Sequence, residues 1–119
     1  MMSYEEFTQK EAALESAPRA EREAFYAEIL EKEGISCEII DPRSLYPFDY
    51  DTVIESIKKT GKLMIVHEDT YTNGWGAQLA AYIAENAILH LDAPVVRVAT
   101  PDCPIPFAPV LEEYLIPSG

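Results

Sequence analysis

The chain is short of positive charge. Nine lysines and arginines stand against 21 aspartates and glutamates, a net charge of -12. A phosphate backbone would be repelled, which argues against nucleic-acid binding. An anionic membrane surface is disfavoured for the same reason. Long apolar runs are missing as well. None approaches the roughly 20 residues needed to span a bilayer. The first residues, MMSYEEFTQKEAALE, are acidic and hold no long apolar stretch, so they read as neither signal nor transit peptide. A cytoplasmic protein is the expectation. Cysteine is scarce: Cys37 and Cys103 lie far apart in sequence, which favours a reduced, structural pair over a disulfide framework or a metal site. Apolar residues are not scarce. At 48% of 119 residues, they suffice for one domain with a real core.

The sequence divides near Gly34. Residues 1–34 read as a helical segment, rich in Ala, Glu, Leu, Lys and Arg. Ser3 is suited to cap a first helix, with Glu6 three residues on as its capping-box partner. Pro18 belongs in a first turn, so a second helix is expected to start there. Phe25, Ile29 and Leu30 give that helix an apolar stripe, and Gly34 supplies a left-handed stop.

Residues 35–119 alternate in type. Cys37–Ile40 reads as a strand, ended by Asp41-Pro42. Asp49 is placed to cap a helix that carries Val53, Ile54 and Ile57, has Lys58 and Lys59 in its last turn, and ends at Gly61. Leu63–Val66 is a continuous apolar run, expected to be a strand buried on both faces. Asn73-Gly74-Trp75-Gly76 turns into a helix with Leu79, Ile83 and Ala87 at spacing four. Val95–Val98 reads as the third strand. The Pro-rich tail is expected to stay extended until a short helix near Leu111. Strands alternating with helices predict an α/β domain with a small, mostly parallel sheet between helical layers, preceded by the helical segment.

Few residues invite chemistry. His67 ends the apolar strand beside Glu68 and Asp69, where open α/β sheets meet their ligands. It is either a general acid–base or a group that hydrogen-bonds across the loop and orders it. Glu68 and Asp69 are adjacent, so they face opposite ways on an extended segment and make no carboxylate pair. The Asn-Gly-Trp-Gly turn matches no phosphate-loop motif. It either offers helix N–H groups to an anion or uses Gly74 and Gly76 for a tight turn and close packing. Asp41 and Arg43 form a local ion pair or reach a partner. Tyr46-Pro47-Phe48 is core cover or a docking patch. No Cys/His spacing suggests a metal site, and no G-x-S-x-G elbow marks a nucleophile.

Two segments, CEIIDPRSLYPFDYDTVIESIKKTGKLMIVHEDTYTNGWGAQLAAYIAE and APVVRVATPDCPIPFAPVLEEYLIP, carry a resemblance. They are similar to the C-terminal domain of transketolase-like enzymes. The closest likeness is to β subunits of the E1 components of pyruvate, branched-chain and acetoin dehydrogenases. Matching positions include Asp41, Arg43, Leu45, Pro47, Asp49, Thr60-Gly61, Val66 through Asp69, Gly74, Gly76, Pro94-Val95, Asp102, Pro104, Pro106 and Leu111-Glu112.

The resemblance implies a three-layer α/β/α domain within an enzyme that decarboxylates a 2-oxoacid with thiamin diphosphate and Mg²⁺. It implies that the cofactors sit in other domains. This domain's part would be the subunit interface and docking, with the E1 α subunit, the E2 acyltransferase and further copies of the chain as partners. The residues implied for interface and loop ordering are Asp41, Arg43, His67, Glu68, Asp69, Gly74 and Gly76. The chain departs from the family before Gly34, where a strand would be expected, and at Gln78, where Glu is usual. It therefore reads as a truncated, spliced or engineered form, with a bare sheet edge to be covered by its N-terminal helices or by a symmetric dimer. The alternative is a free-standing interaction module unconnected to catalysis. A third reading, an enzyme using His67 in a pocket of its own, has no visible nucleophile behind it.

Overall fold

Apolar side chains at spacing four decide where the helices form, and a short parallel ladder ties them together. A computed structural model describes residues 19–116 of the chain. By its internal contacts the chain parts into two compact units, Met1–Phe48 and Asp49–Gly119.

In the first unit, helix α1 runs Arg19–Lys32. Phe25, Ile29 and Leu30 are half-buried, and Glu28 pairs with Lys32 at 2.7 Å. Gly34, at φ 79°, turns the chain out of the helix, and the Ile35 N–H closes the turn on the Leu30 carbonyl at 2.9 Å. The expected first helix, with its Ser3 cap, lies outside the described residues. The expected strand at Cys37–Ile40 does not form: these residues have no regular structure. β-branched residues make a strand only when a neighbouring strand takes up their backbone groups. Both strands of the sheet belong to the other unit.

In the second unit, helix α2 runs Tyr50–Thr60. Asp49 caps it by accepting the Thr52 N–H at 3.1 Å. Val53 and Ile57, one turn apart, are its buried residues, and Gly61 ends it at φ 72°. Strand β1, Met64–Thr70, is followed by helix α3, Trp75–Asn86. A 3₁₀ turn at Ile88–His90 leads to strand β2, Val96–Thr100, and helix α4 is Pro109–Leu115. The two strands are parallel, with α3 as the crossover. Val53, Ile57, Ile65, Leu79, Ile83 and Ala87 form the core, with Ile83 at 0% exposure. Tyr50 of α2 stacks on Tyr82 of α3, ring centroids 3.7 Å apart.

Two sequence expectations change here. Strand β1 runs on to Thr70, so His67, Glu68 and Asp69 lie within it rather than beyond it. The strand is also buried on one face only. Ile65 points inward, whereas Met64 and Val66 are each 61% exposed. α3 packs on the sheet, and the alternation of the pleat turns the even-numbered residues to the opposite face. An unbroken apolar run does not distinguish one covered face from two.

Candidate functional site

At the carboxyl ends of β1 and β2, side-chain hydrogen bonds join distant parts of the sequence. The ladder is regular from Met64↔Val96 to Val66↔Val98, then resumes at Thr70↔Thr100. Three residues of β1, His67 to Asp69, therefore oppose the single residue Ala99. Such an irregularity bends a strand and re-aims its side chains.

His67 is half-buried, with both ring nitrogens enclosed. Neither nitrogen meets a hydrogen-bond partner among the described residues. The expected hydrogen bond across the loop is thus not what positions His67. Its ring lies instead against the glycines of the turn. A Cβ on Gly76 would collide with His67 Nε2 and stand 2.7 Å from Cδ2. A Cβ on Gly74 would strike the Thr70 carbonyl oxygen and meet His67 Cε1 at 3.0 Å. Neither glycine has a positive φ. What they provide is close approach. The left-handed position of the turn is taken by Asn73, at φ 59°.

Asp69 closes the start of α3. Its Oδ1 accepts the Thr70 N–H at 2.8 Å, and its Oδ2 accepts the Trp75 N–H at 3.2 Å. These two backbone bonds, Thr70 first, hold its carboxyl below the usual carboxylate range, with His67 adding a small attraction. The helix N-terminus already receives a negative group from its own chain. Glu68 is exposed.

A second carboxylate, Asp102, ties the two strand ends together. It accepts the Thr72 N–H at 2.7 Å and the Thr72 hydroxyl at 2.5 Å. The hydroxyl bond and then the backbone bond lower its pKa, with a smaller contribution from Arg97. Arg97 Nη1 donates to the Tyr71 carbonyl at 2.8 Å, and the guanidinium lies 3.9 Å from the Tyr71 ring centroid. The Tyr71 N–H donates to the Thr100 carbonyl at 3.0 Å. Sequence reasoning singled out neither Thr72 nor Arg97. Their partners lie 30 and 26 residues away, and no local spacing signals such bonds.

Asp41 and Arg43 fall in the first unit, Asp41 half-buried and Arg43 exposed. No group of three His, Cys, Asp or Glu side chains among the described residues stands close enough together to hold a metal ion. Among those residues no helix is long and apolar enough to cross a membrane.

Away from the strand ends, the unit turns large apolar side chains outward. Leu89 of the 3₁₀ turn is 95% exposed. Phe107 is fully exposed, and Val110, Leu111 and Tyr114 follow it at helical spacing along α4, all exposed.

Residues 16–119 match the family model of the transketolase C-terminal domain. A β subunit of 2-oxoisovalerate dehydrogenase from Dictyostelium discoideum is 48% identical over 87 residues, 73% of this chain and 23% of that protein. The pyruvate dehydrogenase E1 component subunit beta of Rickettsia bellii is 46% identical over 92 residues, 77% of this chain and 28% of its own. That of Staphylococcus epidermidis is 51% identical over 81 residues, 68% of this chain and 25% of its own. The chain spans about a quarter of the length of these curated relatives.

Proposed function

This chain belongs to the family of transketolase C-terminal domains, and we infer that it serves assembly in a 2-oxoacid dehydrogenase E1 rather than chemistry of its own. The observation that carries this reading is a division of labour on the second unit. At the strand ends, Asp69, Asp102 and Arg97 are already engaged with their own backbone. Elsewhere, Leu89, Phe107, Val110 and Tyr114 face outward. Apolar surface held outward marks a place for another protein, whereas the His67 nitrogens, the polar atoms at the strand ends that lack a partner among the described residues, are enclosed rather than presented to a substrate.

The partners in this reading are the E1 α subunit, the E2 acyltransferase and a second copy of the chain, with the cytoplasm as the place of work. Asp69, Gly74, Gly76 and His67 order the loop, the histidine by filling space beneath the glycines. Asp41, Arg43 and Glu68 are assigned to interfaces.

Thiamin diphosphate and Mg²⁺ belong, on this reading, to the complete E1 and are bound outside this chain. Two features of the strand ends support that reading. A diphosphate calls for free N–H groups or cations, yet Asp69 fills the start of α3 and Arg97 is bonded to Tyr71. No group of three His, Cys, Asp or Glu side chains stands ready for a metal ion among the described residues, which supports placing Mg²⁺ elsewhere.

Titration calorimetry of the chain with thiamin diphosphate and Mg²⁺ is expected to show no saturable binding. Tight binding by the chain alone would overturn the assignment. Co-expression with the E1 α subunit of a bacterial relative is expected to give a stable complex.

A further inference from the structure

We draw no further inference here: the strongest candidate, the uncovered apolar face of the two-stranded sheet where Met64 and Val66 lie beside Val96 and Val98, carries nothing because nothing in the structure shows what covers it.

Discussion

The strand-end loop and helix α4 lie on the same unit and are built on opposite terms. The loop is polar, and its bonded carboxylates and guanidinium turn inward, Asp69 to Thr70 and Trp75, Asp102 to Thr72, Arg97 to Tyr71, with the enclosed His67 ring the exception. α4 carries an apolar stripe, Val110, Leu111 and Tyr114, that looks outward. Its hydrogen bonds are those of its own backbone, such as Leu111 and Glu112 N–H to the Ala108 carbonyl, each at 3.0 Å. Chemical activity is sought where polar groups converge. Here convergence marks the most constrained part of the unit, and the unspent interaction capacity lies on the apolar part. A short helix of this kind gains little from its own hydrogen bonds. What it offers a partner is surface.

If that contrast is real, damage should scale with distance from the packed side of the loop. The largest effect belongs to the core beneath it. Ile83→Ala empties a fully buried site and should cost about 2–5 kcal/mol, read from the urea midpoint. Gly76→Ala should come next, at about 1–3 kcal/mol, because the added methyl meets both His67 and Ile65. The double variant His67→Ala, Gly76→Ala sharpens the test. Removing the ring makes room for the methyl, so the pair should cost less than the sum of its single changes. Strict additivity would mean that His67 is not the obstacle.

Asp102 should matter less, and in a pH-dependent way. Its carboxyl sits below the usual carboxylate range in the folded chain, first because of the Thr72 hydroxyl. A group with a depressed folded pKa contributes stability above its unfolded value and loses it as pH falls through the folded one. The unfolded value is near 4. Thermal melts should therefore be flat from neutrality to about pH 5 and fall below about pH 4, with Asp69 and Asp49 adding to the same limb. Asp102→Asn should lower the neutral-pH melting temperature by the loss of roughly one hydrogen bond, a smaller drop than that of Gly76→Ala. It should also flatten the acid limb. An unchanged limb would remove Asp102 from the account.

Local signals made part of this legible in the sequence. Asp49 and Gly61 bracket α2 because a cap and a left-handed stop act within one turn. Leu79, Ile83 and Ala87 are buried as their spacing requires. The failures were of longer range. Cys37–Ile40 has strand composition, but pairing depends on a neighbour that composition does not contain. The polar residues from Glu68 to Thr70 concealed the continuation of β1, which is set by the ladder to Thr100. The Asp102–Thr72 bond joins residues 30 apart. Family resemblance flagged Asp102, but its bond to Thr72 appears only once the strands are placed. His67 is the instructive case. Its location suggested a reacting group, and its surroundings give it a wall of backbone.

The smallest effect on the chain's own stability should come from α4, where the contrast is easiest to break. Leu111→Glu and Tyr114→Ser alter side chains that lie mostly in solvent. Such surface changes usually stay within about 0.5 kcal/mol. The melting temperature of the isolated chain should therefore stay close to that of the unaltered protein, well above that of Gly76→Ala. The same variants should fail to co-purify with the E1 α subunit if the stripe is part of an assembly surface. A fall in melting temperature as large as that of Gly76→Ala would place the stripe in the unit's own core and dissolve the comparison. An unchanged melt with undiminished co-purification would keep the comparison but move the assembly surface elsewhere, with Leu89 and the 3₁₀ turn the next exposed apolar position to alter.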